Sequence, residues 1–542
     1  KVELGESKLD NPYETFKDFY TKDYQRFVEY NIQDVELVDR LEDKMKLIEL
    51  CLTMAYDYKV NYTDVYSQVR CWDTIIYNHL RDKGIVIPPR EDHEKDTQYE
   101  GAYVKDPQLG LHNWIVSFDL NSLYPHLIMQ YNISPEMFVG VEPKAVGVEN
   151  FLEEKLNLKW AKERDVTIAP NGAMFRRDKQ GFLPELMEKM YTERVVFKKK
   201  SIEAKKEYQK TKDPIYKNEI SRCHNIQMAK KISLNSAYGA IGNQYFRYFD
   251  VKQAEAITLG GQLSIRWVER DVNRFMNKIL NTNNVNYVVA SDTDSIYLRL
   301  DKLVEKVCKD KTPQQITDFI NKAAEEKIQK VIDDSFGNLA KYVNAYQQKM
   351  IMKREAIANK GIWVAKKRYM MNVFDEEGIR FDIPKLKIMG VEAVKSSTPE
   401  VCRGKIKDAI RVIMNDSEDA LIKFVNDFKE VFKTLSPEEV AFPRSCNNVN
   451  RYVDSNSIYK KGTPIHVKGA LIYNHHINKH KLSAKYPIIK DGDKIKFLML
   501  KQPNTVKDTV ISFSTKIPYE FDLHKYVDYD TQFEKTFTDP LR

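Results

Sequence analysis

Three aspartates carry the chemistry this sequence is able to do. Asp292 and Asp294 fall in Ser291-Asp-Thr-Asp-Ser295, between the apolar runs 287–290 and 296–298, a pattern that reads as the tip of a β-hairpin. Asp119 ends Leu111-His-Asn-Trp-Ile-Val-Ser-Phe-Asp119, which reads as a buried strand leading into Asp119-Leu-Asn-Ser-Leu-Tyr-Pro125. Taken alone, Asp-Thr-Asp-Ser is ordinary turn chemistry, because Asp and Ser bond nearby backbone groups. It is not a calcium loop, which needs a further Asp or Asn and then Gly where this chain continues Ile296-Tyr297. A strand end beside the hairpin tip would gather Asp119, Asp292 and Asp294. Clustered carboxylates repel one another unless a cation sits among them, and an all-oxygen set suits magnesium or manganese. Two such ions about 3.5–4 Å apart activate an attacking oxygen and stabilise a leaving one in phosphoryl transfer.

The opposite charge comes from two long polar helices. The first is expected to open at Pro184 and run to about Lys210, Lys212-Asp213-Pro214 breaks it, and the second is expected from about Lys217 to Ala237. Arg194 and Lys198 are four apart on the first, and Lys231, Asn235 and Tyr238 follow at four and three on the second, so each set shares a helix face. Cations on one face can clamp a triphosphate. Lysines on polar helices are usually solvated surface. Here Lys231-Ile-Ser-Leu-Asn-Ser-Ala-Tyr-Gly239 ends in a small-residue corner that would let a base pair approach.

Asp119-Leu-Asn-Ser-Leu-Tyr-Pro125, Lys231-Ile-Ser-Leu-Asn-Ser-Ala-Tyr-Gly239 and Ser291-Asp-Thr-Asp-Ser295 resemble, in order, the three polymerase motifs of family B DNA polymerases. Lys366-Lys-Arg-Tyr369 is similar to that family's later lysine-containing motif. Asn132-Ile-Ser-Pro-Glu136, Phe246-Arg-Tyr-Phe-Asp250 and Lys385-Leu-Lys-Ile-Met-Gly390 most resemble the replicative members from T-even-type bacteriophages.

The resemblance implies an α+β right-hand fold: a palm with an antiparallel sheet, two-helix fingers and a thumb, preceded by a remnant of a 3′-5′ exonuclease domain. The segments expected are 1–46 exonuclease remnant, 47–90 helical connector, 91–180 and 244–390 palm, 181–243 fingers and 391–542 thumb. It implies DNA-directed DNA synthesis from deoxynucleoside triphosphates (dNTPs) and a primer 3′-hydroxyl, with two Mg2+ ions, for which Mn2+ can substitute. Asp119, Asp294 and the Leu120 carbonyl would hold the metals and Asp292 would tune them. Ser122, Leu123, Tyr124, Arg194, Lys198, Lys231, Asn235 and Tyr238 would meet the dNTP, Tyr124 below the sugar and Tyr238 on the nascent base pair. Lys366, Lys367, Arg368 and Tyr369 would contact primer-template DNA, and Glu355 matches a further acid near the site. Ser291 stands where Gly is commoner, and Asn121 where phage relatives often carry Thr.

Tyr30-Asn-Ile-Gln-Asp34 resembles the third proofreading exonuclease motif, with too little chain before it for the first two acidic motifs. Proofreading is therefore not expected of this chain by itself, and a separate N-terminal exonuclease fragment is an expected partner, as is a sliding clamp, although no clamp-binding tail is visible. Two other readings compete: a protein-primed polymerase, which would start on a protein hydroxyl, and a non-catalytic DNA-binding subunit of a split polymerase, for which an intact acid set has no use.

Bulk properties agree with these expectations. At 542 residues several domains are expected. A formal charge of +8 permits a polyanionic partner. Six cysteines without a C-x-x-C pair fit a reducing cytosol and argue against disulfides or thiolate zinc. No apolar run approaches the roughly 18–20 residues of a membrane span. The resemblance places the chain in the cytoplasm of an infected bacterial host. An amphipathic helix is expected from Ile32 to about Tyr56, with Asp34 at its start and Val35, Val38, Leu41, Met45 and Ile48 recurring at three and four. Further helices are expected after Thr398-Pro399 and Ser417, and the sequence beyond Pro437 resists assignment. His475, His476 and His480 have zinc-like spacing without a completing ligand, and are expected on an exposed loop or thumb contact.

Overall fold

The structure, a computed structural model, describes residues 4, 6, 8, 9, 13, 16–94, 98–454, 457–483 and 485–541. Positions 1 and 542, the outer ends of the expected segments, lie outside the described residues. The chain forms two compact units, one of Glu42–Lys366 with Val373–Lys385, the other of Lys1–Leu41, Lys367–Asn372 and Leu386–Arg542.

The larger unit is built on a sheet whose strand order is β5-β6-β1-β7-β8-β9. These strands are β1 (Gly110–Leu120), β5 (Val288–Asp292), β6 (Ser295–Arg299), β7 (Met352–Ala365), β8 (Arg368–Glu376) and β9 (Ile379–Met389). β1 is central and antiparallel to both neighbours, pairing Asp119 with Ser295 on one side and with Lys353 on the other. Its inner residues Ile115, Val116, Phe118 and Leu120 are buried, as the apolar run predicts. Between Val116 and Phe118 the register shifts, so that Glu355 and Ala356 of β7 both face Ser117, a β-bulge. A second sheet joins β2 (Phe138–Val146), β4 (Asn171–Arg176) and β3 (Val166–Ile168) in that order.

Helix Val251–Leu280 supplies much of the core, burying Ile257, Leu263, Trp267, Val268, Val272 and Met276 at helical spacing. Asp250 starts it, its carboxylate accepting from the Lys252 and Gln253 amides. The two long polar helices are Phe182–Thr211 and Ile215–Ile241, packed as a pair and separated by Lys212, which is left-handed at φ 58°, Asp213 and Pro214. The first begins two residues earlier and ends one later than its sequence pattern suggests, and the second begins two earlier and ends four later.

The single helix expected from Ile32 to Tyr56 is instead two, Tyr24–Met45 and Leu47–Tyr58, because Lys46 is left-handed at φ 53°. The periodic apolar face is not a core face: Val35 is 69% and Val38 67% exposed, and only Leu37 of that first helix is buried. Asp34 lies inside the helix and not at its start.

In the second unit, helices Glu400–Asn415 and Glu418–Phe432 stand where expected, and Ser417 caps the latter by accepting from the Ala420 amide. Phe428 and Phe432 are buried with Phe533 and Phe537, ring centroids 4.7–5.9 Å apart. The stretch beyond Pro437 holds a three-stranded sheet of β10 (Phe442–Cys446), β11 (Asp493–Met499) and β12 (Val510–Phe513) against helix Ile465–Lys479.

That helix corrects the histidine expectation. His476 is a buried helical residue packed on the Phe521 ring at 5.8 Å, while His475 and His480 are exposed. Burial, then the neighbouring His475, Lys479 and His480, pull its pKa down to about 4. His476 is thus neutral in the fold but protonates near 6.5 when unfolded. The unfolded chain binds the extra proton between these values, so stability falls as pH drops from about 6.5 toward 4. In thermal denaturation from pH 7.5 to 4.5, wild type is expected to lose stability more steeply than His476→Gln. Parallel slopes would contradict this.

Candidate active site

The acids converge through backbone register. Asp292 ends β5, Thr293 and Asp294 make the turn, and Ser295 opens β6, as the hairpin reading predicts. Thr293 takes the left-handed φ of 62°, and the Asp294 amide donates to the Asp292 carbonyl at 2.6 Å. The Leu120 amide then donates to the Asp294 carbonyl at 2.8 Å, and Asp119 lies opposite Ser295. Adjacent strands at this offset hold the Asp119 and Asp294 α-carbons within about 8 Å. Both aspartates are partly exposed at the strand ends. The Asp292 carboxylate accepts from the Thr293 hydroxyl at 3.0 Å, within its own turn. Among the described residues no group of three or more His, Cys, Asp or Glu side chains is placed to hold an ion; the acids expected to do so, Asp119 and Asp294, stand at neighbouring strand ends beside the Leu120 backbone, with Asp292 in the same turn. Two carboxylates and a peptide carbonyl are a hard oxygen donor set of the kind magnesium takes, with water and substrate phosphate as its other ligands.

Ser117 stands two residues before Asp119. Its hydroxyl accepts from the Ala356 amide and donates to Glu355, both at 3.1 Å, which ties Glu355 to the bulge. Ser291 is buried, and its hydroxyl has no hydrogen-bond partner among the described residues.

The segment after Asp119 reaches the long helices. Ser122 is left-handed at φ 47° and starts helix Leu123–Tyr131. Its hydroxyl accepts from Arg194 Nη1 at 3.3 Å. Burial lowers the Arg194 pKa, and its Nε has no hydrogen-bond partner. Leu123 is buried. The Tyr124 ring lies 4.7 Å from that of Tyr238, tilted by 46°. Burial raises the Tyr124 pKa, and the Asp294 charge raises it further. Tyr238 is raised by burial and by a hydrogen bond with Tyr99.

Lys231 and Asn235 are exposed with Tyr238 on one stripe, and Lys198 is exposed on the first helix. A β-carbon on Gly239 would meet nothing within 4 Å, so the small-residue corner is open.

Other assigned residues lie elsewhere. Lys366 and Lys367 are exposed at the turn after β7, Lys366 pairing with Asp106 at 3.0 Å. Arg368 pairs with Glu392, and Tyr369 is buried at 6%, so its ring packs internally. Tyr30 packs on Phe16 and Phe19, and Asp34 pairs with Lys8 Nζ at 2.7 Å.

Sequence reasoning missed three residues. Tyr99 sits in a polar stretch with no pattern to single it out. Lys353 is exposed and directly opposite Asp119, legible only once the register is known. Lys230 is buried between Asp57 and Glu193. Burial lowers its pKa, but Glu193 and Asp57 outweigh that and hold it above the ordinary value.

Comparison with known proteins gives one answer. A family model described as DNA polymerase family B matches residues 60–539. The DNA-directed DNA polymerase of Escherichia phage RB69 is 33% identical over an alignment covering 100% of this chain and 65% of the relative. That of Enterobacteria phage T4 is 32% identical with the same coverage, and DNA polymerase 1 of Pyrococcus abyssi is 28% identical over 82% of this chain and 47% of its own length. The chain thus spans 65% of the length of the two phage relatives.

Proposed function

This chain belongs to DNA polymerase family B, and on that premise we propose that it catalyses template-directed transfer of nucleotides from dNTPs to a primer 3′-hydroxyl. The observation that carries the reading is the reach of one short segment: Asp119 is registered beside Asp294, while Ser122 and Tyr124 touch Arg194 and Tyr238 of the long helices. Acids for the reacting oxygens and cations for the triphosphate are thereby joined across the six residues 119–124.

In this reading Asp119, Asp294 and the Leu120 carbonyl hold two magnesium ions, and manganese can replace them. Bound there, the metals would neutralise charge on the attacking and leaving oxygens. Arg194, Lys198, Lys231 and Asn235 grip the phosphates, with donors fixed in advance by their helices. Ser122 and Leu123 lie under the triphosphate. Tyr124 bears on the sugar and excludes a 2′-hydroxyl, and Tyr238 packs on the new base pair. Asp292 holds the turn that presents Asp294. Lys366 and Lys367 supply exposed charge to primer-template DNA, and Arg368 takes part by releasing Glu392. The two-helix pair serves as fingers, the β1-centred sheet as palm and the region after residue 391 as thumb, with 1–46 an exonuclease remnant and 47–90 a connector. A sliding clamp and an N-terminal exonuclease fragment are the further partners, in the cytoplasm of an infected bacterium. No helix among the described residues is long and apolar enough to cross a membrane.

Primer extension with magnesium on a DNA primer-template tests this reading: template-directed products support it, and their absence would refute it. These 542 residues by themselves are expected not to proofread, because the one carboxylate of the expected exonuclease motif, Asp34, cannot alone hold two metal ions. Single-stranded DNA incubated with the chain and magnesium is expected to stay intact on sequencing gels. Processive 3′-end shortening would overturn that.

A further inference from the structure

We propose that Lys230, with Asp57 and Glu193, is a strut that positions the nucleotide-facing stripe of helix Ile215–Ile241. The inference deepens the polymerase reading above and rests on it. Lys230 and Lys231 are consecutive but a quarter-turn or so apart on the helix: Lys231 is exposed on the stripe, whereas the Lys230 side chain is 7% exposed and faces Asp57 and Glu193. Its Nζ lies 2.9 and 3.0 Å from the two Asp57 oxygens and 2.6 Å from Glu193. Asp57 belongs to helix Leu47–Tyr58 and Glu193 to helix Phe182–Thr211, so one ammonium ties three helices. Each end of the tie is one residue from a working contact. Glu193 precedes Arg194, Lys230 precedes Lys231, and Asp57 precedes Tyr58, whose hydroxyl donates to the Ala229 carbonyl at 2.7 Å.

The surroundings make the strut more than one contact among many. Asp57, Glu193 and Lys230 line two cavities, of about 1160 and 360 Å³. The larger opens between helix Leu47–Tyr58 and the long pair, and none of Asp119, Asp292 and Asp294 lines it. Met54, Tyr58, Met190 and Ala229 are buried in one core and Glu49 accepts from Ser221 and Asn225, while between the two cavities the contact joining all three helices is the Lys230 ion pair with Asp57 and Glu193. Removing the ammonium leaves two carboxylates facing each other across the gap, which drives the helices apart and displaces Arg194 and Lys231 together. Lys230 touches neither substrate nor reacting atoms, so it is a positioning residue.

The test compares the 542-residue chain with Lys230→Met and Lys230→Arg. Lys230→Met is expected to raise KM for dNTP about tenfold, leaving kcat within about twofold and primer-template Kd unchanged, and Lys230→Arg is expected to restore most of the loss. Hydrogen exchange of amides 225–238 is expected to quicken in Lys230→Met and not in Lys230→Arg. An unchanged KM would overturn the proposal, as would parallel losses in KM, kcat, DNA affinity and Tm that arginine does not rescue. Should wild type extend no primer, the polymerase reading fails, and exchange alone decides the strut: faster amides only in Lys230→Met uphold it, equal rates in all three proteins refute it.

Discussion

Asp294→Asn is expected to reduce primer extension by at least about a thousandfold, on the order of 4 kcal/mol of transition-state stabilisation. The substitution preserves size and leaves untouched the backbone bonds that shape the turn, since the Leu120 and Asp292 contacts of residue 294 are both main-chain. What it removes is one of two negative charges that make the strand ends attractive to divalent cations. Asp119→Asn is expected to do the same. Asp292→Asn is expected to cost far less, about tenfold, because in the proposed reading Asp292 tunes the site while Asp119 and Asp294 hold the metals, and an asparagine oxygen can still accept from the Thr293 hydroxyl. Single-turnover extension with a pre-annealed primer-template measures all three, and DNA affinity by anisotropy shows that binding survives. Near-normal extension by Asp294→Asn would reject the assignment of that residue.

Lys231→Ala is the second large effect, with an expected loss in kcat/KM for dNTP of about a hundredfold, roughly 3 kcal/mol, the scale of a charge-assisted contact to a developing anion. Lys231 is exposed on the stripe that leads to Tyr238, so its ammonium can be removed with little consequence for folding, and Tm should hardly change. Steady-state kinetics at varied dNTP is the measurement. A loss under about threefold would remove Lys231 from the site and shift the burden to Arg194, already directed at Ser122.

The acid-bearing part of this site was legible because it is local. An apolar run ending in Asp119 and two apolar runs around Asp-Thr-Asp-Ser specify strands and a turn through patterns of a few residues, and Pro214 marks the break between the long helices. The rest depends on distance or on exceptions to pattern. Lys46 breaks a helix by taking a left-handed conformation that its residue type does not announce. The spacing of Val35 and Val38 is that of a core face, yet periodicity records only that a face is apolar and not what covers it. Lys230 reads as one more lysine on a polar helix, and its partner Asp57 is 173 positions away. His476 became buried because a sheet from the unassigned C-terminal stretch and Phe521 close over its helix.

The bulge opposite Ser117 has one more consequence. The ladder on either side of it is regular, with Val116 on Ile357 and Phe118 on Arg354, so pairing would be complete with a single residue between them. Either Glu355 or Ala356 is therefore surplus to the sheet, and that extra residue bends β7 and tightens its twist where β1 ends in Asp119. A descendant that trimmed this residue could keep its pairing with β1 and still lose the angle at which its acid edge is presented.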